Sequence, residues 1–261
     1  MSDANHLALA ARLRALTPAR VGLDRTGVSQ QTRDLLDFQR SHAMARDAVH
    51  AQLQAAVLAA ALREISVAEV HLLHSAAKDR ATYLQRPDLG RTLDAASRDL
   101  LTALHPSACD LAIVVADGLS ALAVERHALP LLSELLPQLS SLSLAPVCVV
   151  EQGRVAIADE IGSALGAQLT VILIGERPGL SSPDSLGAYI TWQPKPGRAD
   201  AERNCISNIR AEGLSYIQAA AQISFYIAEA QRRQLSGIAL KDESNLLAGQ
   251  APRTIQQKEI Q

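Results

Sequence analysis

Aromatic side chains are scarce, with two Phe, one Trp and four Tyr among 261 residues. A core must then be packed from Ala, Leu, Val and Ile, and the flat platforms on which single-stranded nucleic acid stacks are few. An excess of one charge is lacking too. Lys and Arg number 25 against 27 Asp and Glu, a formal net charge of −2. That balance gives neither the basic footprint of a nucleic-acid binder nor a polybasic patch for an anionic membrane. No apolar run reaches the roughly 20 residues of a bilayer-spanning helix. The start, MSDANHLALAARLRAL, carries an early acid at Asp3 and too brief an apolar stretch for a secretory leader. Cysteines are three, Cys109, Cys148 and Cys205, all far apart. An odd, scattered set argues against a disulfide framework and a CxxC-type zinc site, and the expected setting is the reducing cytoplasm.

Common fingerprints are absent as well. No GxGxxG follows the first apolar run, and no GxxxxGK[ST], GxSxG or HExxH occurs. The standard dinucleotide and P-loop phosphate cradles and the usual hydrolase supports are therefore missing. His71 and His74, with Glu69 nearby, fall in a stretch that reads as helical and would share a face there. Two His without a third ligand are more often packing or surface residues, so no metal site is assigned.

What is present is a change of rhythm. The first hundred residues read as helical: SQQTRDLLDFQRSHAMARDAVHAQL opens on Ser29, an N-cap candidate, and LREISVAEVHLLHSAAKD continues in the same manner. Pro87 and Gly90 punctuate a basic loop before a further helix. From about residue 108 come DLAIVVADG, APVCVVEQG and QLTVILIGE, short β-branched runs that each end in an acid and a Gly. Strands buried on both faces of a parallel sheet read this way. LSALAVERHALPLLSELLPQL and RVAIADEIGSALGA supply crossover helices, GAYITWQ a fourth strand, and GLSYIQAAAQISFYIAEAQRRQL a closing helix with Ser215 near its start. The pattern predicts an α/β fold, a doubly wound, mostly parallel Rossmann-like sheet with a helical N-terminal region. The expected division is a helical region over 1–105, a Rossmann-like domain over 106–240 and a polar tail over 241–261.

Ligands of open parallel sheets sit beyond the carboxyl ends of the strands. That marks Asp117-Gly118, Glu151-Gln152-Gly153 and Gly175-Glu176-Arg177. A single such end is ordinarily a turn with a helix-capping acid; three together point to a site. Arg177-Pro178-Gly179 should form a defined turn that holds Glu176 in place, or else Glu176 pairs at the surface with Arg177 or Arg203. Cys109 and Cys148, beside strands, read as small buried hydrophobes, whereas Cys205 is flanked by Arg203, Asn204, Ser207 and Asn208. These residues describe a binding protein with a polar site and leave the ligand open.

Six motifs in order, TPARVGLDRTG, YLQRPDLGR, VVADGLSALAV, EQGRVAIADEIG, GERPGLSSPDSLGAY and ERNCISNIR, resemble the small (light) subunit of ethanolamine ammonia-lyase. The resemblance runs from about Thr17 to Ala239. It implies an adenosylcobalamin-dependent carbon–nitrogen lyase that converts ethanolamine to acetaldehyde and ammonia, with a large barrel subunit holding the substrate. It also implies a hetero-oligomer of six copies of each subunit and an association with bacterial microcompartments. By motif, the cofactor-contacting positions fall on Val155, Glu176 and Cys205, and no catalytic residue is expected on this chain. The D-x-H-x-x-G motif of corrinoid proteins that replace the cofactor's own base is absent, in keeping with a base-on mode. Loops bearing Arg25, Arg86 and Arg91 are candidates for subunit contact or for a solvated basic face. The competing expectations are a stand-alone α/β enzyme acting on a nucleotide or sugar phosphate, and a non-catalytic compartment scaffold.

Overall fold

The computed structural model describes residues 3–17, 19–23, 25–65, 68–104 and 107–240, so the expected polar tail over 241–261 lies outside the described residues. In chain order the helices are α1 (Asp3–Leu16), α2 (Thr32–His50), α3 (Ala55–Ile65), α4 (Arg80–Gln85), α5 (Ala95–Ala103), α6 (Ala121–Leu135), α7 (Ile157–Ala164) and α8 (Tyr216–Arg233). The strands are β1 (Arg25–Thr26), β2 (Ser29–Gln30), β3 (Val70–His74), β4 (Cys109–Ala116), β5 (Val147–Glu151), β6 (Ala167–Gly175), β7 (Leu186–Trp192) and β8 (Arg203–Ile209).

A six-stranded sheet in the order β3-β5-β4-β6-β7-β8 carries the molecule. β3, β5, β4 and β6 are parallel, and β7 pairs antiparallel with both β6 and β8, so β7 alone is reversed. The fold is thus the mixed α/β, mostly parallel sheet expected. Alternate residues of β4 explain its unbroken apolar run. Leu111, Ile113 and Val115 enter one core with Leu62 of α3, Leu131 of α6 and Ile223 of α8. Ala112, Val114 and Ala116 enter the other with Leu101 of α5 and Ile161 of α7. Adjacent strands β4 and β5 therefore send the chain to opposite faces, through α6 and α7, and a crevice opens where they part.

Three expectations for the N-terminal third need correction. Residues 70–74 are not helical: α3 stops at Ile65 and β3 pairs with β5 at the sheet edge. His71 and His74, an odd spacing apart on a strand, point to opposite faces and share none. Ser29 is not an N-cap, because it pairs with Thr26 in the β1–β2 hairpin and α2 begins at Thr32. In addition β8, which carries Cys205, is a strand that its polar sequence did not announce. Ser215 does cap α8, its side chain accepting from the Gln218 amide.

Candidate functional site

The site grows from three loops packed backbone to backbone. Gly118 has φ 58°, and a Cβ there would lie 2.2 Å from the Gly175 carbonyl oxygen. A Cβ on Gly175 would lie 2.0 Å from the Ser120 carbonyl oxygen. The Leu119 amide donates to that same Gly175 carbonyl at 2.9 Å. Only glycine lets the end of β6 lie against the β4–α6 turn, which fixes the depth of the crevice.

Asp117, marked by the sequence as a ligand candidate, is instead a brace. It is fully buried, and its carboxylate accepts from the Gln152 and Gly153 amides, both at 3.0 Å. Those bonds hold Gln152 in the left-handed region at φ 57°. Buried Arg80 stands 3.5 Å from the same carboxylate and donates to the Gly118 carbonyl at 2.8 Å and the Val49 carbonyl at 2.7 Å. Burial nevertheless pushes the Asp117 pKa up to about 6, against the opposing pull of Arg80 and the backbone amides.

Beside it, two guanidinium groups stand over the Tyr83 ring, with Arg80 4.8 Å and Arg154 4.2 Å from its centroid. The Tyr83 hydroxyl donates to the Gly153 carbonyl at 3.1 Å, and burial raises its pKa above the ordinary phenol range. Arg80, Tyr83 and Arg154 were not foreseen as site residues. A lone Tyr in a polar stretch gives no local sign that arginines from 3 residues before and 71 after will flank it.

Glu176 follows β6 directly. Its amide donates to the Ser185 carbonyl at 2.9 Å, while its Oε2 accepts from the Ser185 hydroxyl and from the Asn208 amide at 3.3 Å. It pairs with neither Arg177 nor Arg203. Arg177 is exposed, and Arg203 makes a buried two-pronged bond to Asp159 at 2.6 and 2.7 Å. Glu176 is thus held by one oxygen, and Oε1 has no partner among the described residues.

Val155 and Glu176 come together on a hollow of ≈ 400 Å³, lined also by Tyr83, Leu119, Arg154, Arg177 and Tyr189. Cys205 is not on that lining. It lies one strand further out, paired in register with Tyr189, as an exposed residue of β8. Crowding at this pair raises both pKa values, chiefly through loss of water around each group. A second hollow, of ≈ 300 Å³, shares Arg154 and Val155 with the first and adds Arg91, Ala156, Arg198 and Asp200. A larger apolar groove of ≈ 650 Å³ lies on the segments that lead into β3 and β5, away from these strand ends. Among the described residues no three His, Cys, Asp or Glu are grouped to hold a metal. No helix there is long and apolar enough to cross a membrane.

Comparison with known proteins adds the family. The family model described as Ethanolamine ammonia-lyase light chain (EutC) matches residues 8–241. An ethanolamine ammonia-lyase small subunit of Pseudomonas aeruginosa (strain UCBPP-PA14) is 59% identical over 249 residues, covering 93% of this chain and 91% of that protein. That of Pseudomonas syringae pv. tomato (strain DC3000) is 59% identical over 239 residues, 90% of this chain and 83% of its own length. That of Ralstonia nicotianae is 57% identical over 239 residues, 90% and 88% of the two chains.

Proposed function

Because the chain belongs to the ethanolamine ammonia-lyase light-chain family, and so is the small subunit of a lyase, we propose that its strand-end crevice is one wall of an adenosylcobalamin pocket that the large subunit completes. The observation that carries this reading is the half-committed carboxylate of Glu176, anchored through Oε2 and open at Oε1 beside a hollow of mixed lining.

A corrinoid offers peripheral amides, ribose hydroxyls and a broad apolar ring, so it asks for dispersed acceptors and apolar walls in place of a single phosphate nest. The residues fit that demand. Val155 and Leu119 give apolar surface, Gly118 and Gly175 bring bare backbone close, and Glu176 Oε1 can accept from an amide N–H or a hydroxyl. Cys205 and Tyr189 would form the outer rim. When bound, adenosylcobalamin supplies the carbon radical that starts ethanolamine conversion to acetaldehyde and ammonia. This chain's part is to hold, orient and shield, and it presents no group for the substrate, which the large subunit holds.

The finer features of the reading are a base-on cofactor, six copies of each subunit and assembly within a bacterial microcompartment. In this reading residues 106–240 are the main cofactor domain, completed by β3 in its sheet, α3 in its core and Arg80, Tyr83 and Arg91 at its site. The elements before them within 1–105 are the contact region for the large subunit. The exposed apolar side chains Leu13, Leu16, Val28 and Leu36 support the latter assignment.

The test uses the complex with the cognate large subunit. Glu176→Ala should weaken cyanocobalamin binding by about tenfold, the loss of one hydrogen bond to a charged group. Unchanged affinity removes Glu176 from the pocket. Deamination by this chain alone would favour a stand-alone enzyme, and assembly that takes up no corrinoid would favour a scaffold.

A further inference from the structure

The second hollow has a composition that the corrin ring does not call for. Three arginines, Arg91, Arg154 and Arg198, face one acid, Asp200, in ≈ 300 Å³. Asp200 is 95% exposed, and its carboxylate leans toward the Arg203 Nε at 3.7 Å. Arg198 is occupied: it bonds Glu202 and donates twice to the Gln193 carbonyl, at 3.2 and 3.0 Å. It contributes field but few free donors.

The other two differ. The Arg91 side chain has no hydrogen bond or ion pair among the described residues, whereas nearby Arg86 is closed on Asp88 at 2.7 Å. Arg154 is fixed by its stack on Tyr83 and by a bond from Nη2 to the Tyr83 carbonyl at 3.3 Å, yet its Nε is buried without a partner. A buried guanidinium N–H left unpaired is costly unless something accepts from it. The two arginines are also held in register, because the Arg154 amide donates to the carbonyl of Gly90, the residue before Arg91, at 2.7 Å. The result is a preformed pair of cationic donors beside Val155.

We propose that this hollow receives a phosphate ester, with Arg91 and Arg154 donating to its oxygens. Within the cofactor reading above, on which this assignment rests, that group is the phosphodiester of the cobalamin nucleotide arm. A phosphodiester keeps its charge at every physiological pH, and arginine is the side chain best matched to its oxygens. The corrin and its amides would then lie toward Glu176 and the nucleotide arm toward Arg91, with Arg154 and Val155 at the junction.

The test measures corrinoid affinity, by absorbance titration of the purified two-subunit complex, and needs no turnover. Arg91 is exposed and makes no contact that folding requires, so its variants should keep the wild-type melting temperature. Arg91→Gln should weaken cyanocobalamin about tenfold, Arg91→Glu about a hundredfold, and Arg91→Lys about threefold or less. Cobinamide, which lacks the nucleotide arm and its phosphate, should bind wild type and Arg91→Gln equally. The assignment is overturned if the Lys variant falls as far as Gln, if cobinamide loses as much as cyanocobalamin, or if no variant matters. Stabilisation of the complex by sub-millimolar inorganic phosphate or AMP, with corrinoid affinity insensitive to Arg91, would assign the hollow to a free phosphate compound and also overturns it. If Glu176→Ala weakens cyanocobalamin and the Arg91 series does not, this inference alone falls. If the wild-type complex binds no corrinoid at all, the cofactor reading fails first and takes this one with it.

Discussion

Two carboxylates stand at the ends of neighbouring strands and do opposite work. Asp117 spends both oxygens on backbone amides and faces Arg80, whereas Glu176 keeps one oxygen open to the crevice. Asp117 has its pKa raised from 3.8 to about 6 by burial, so the folded chain binds its proton more tightly than the unfolded chain does. Between those values the folded state holds more protons, so this group's contribution to stability is full below pH 4 and is lost as pH rises through 6. A shift of about 2 units corresponds to roughly 3 kcal/mol. Asp117→Asn, which cannot titrate, is the reference. Chemical denaturation should show wild type losing roughly 3 kcal/mol relative to that variant between pH 4 and pH 7. A difference that stays flat with pH would mean that Arg80 and the amides hold the carboxylate ionised throughout.

At the scale of elements, the crevice depends on contact between the β4–α6 turn and the end of β6. Gly175→Ala would push a methyl group against the Ser120 carbonyl, a backbone atom that cannot swing aside. We expect a loss of about 3 kcal/mol in urea unfolding together with weakened corrinoid binding, since the N-terminus of α6 must move away from the pocket. Wild-type stability in that variant would mean that the two loops are not in contact. These central elements were legible because β4, β5 and β6 are buried on both faces and so read as unbroken apolar runs closed by Gly. The edges were not. In β3 the buried residues are Val70 and Leu73, which enter opposite cores, while Leu72 is 44% exposed. Two buried positions three apart imitate a helical repeat, and the helix-forming residues before them completed the illusion. β8 alternates poorly because Asn204, one of its buried residues, is polar and is satisfied by the Gly237 and Leu240 carbonyls. Family motifs drew attention to Val155, Glu176 and Cys205, but Arg154, which stacks on Tyr83 beside Arg80 of the same helix, comes from the distant β5–α7 turn and needed the fold to bring it there.

For the whole molecule, the uneven distribution of apolar surface is the decisive feature. The sheet and its flanking helices bury most of their large apolar side chains, with Val57, Leu72, Leu100 and Ile217 as exceptions. The N-terminal elements instead leave Leu16 83% and Val28 97% exposed, with Leu36 and Phe38 of α2 also open. Large apolar side chains left open on several N-terminal elements point to a protein interface, and a lyase small subunit has a large-subunit partner to cover them. Leu16→Glu combined with Val28→Glu isolates the question, because neither side chain supports the fold of the free chain. The melting temperature of the free double variant should stay within about 2 °C of wild type, in line with substitutions at exposed positions. Its association with the large subunit, followed by sedimentation, should weaken by about a hundredfold if both charges are buried against the partner. Loss of cofactor affinity should follow in proportion to lost assembly and be restored at high subunit concentration, because the crevice itself is untouched. Undiminished assembly would place the interface elsewhere, and defective binding in the fully assembled complex would show that the N-terminal elements shape the pocket directly.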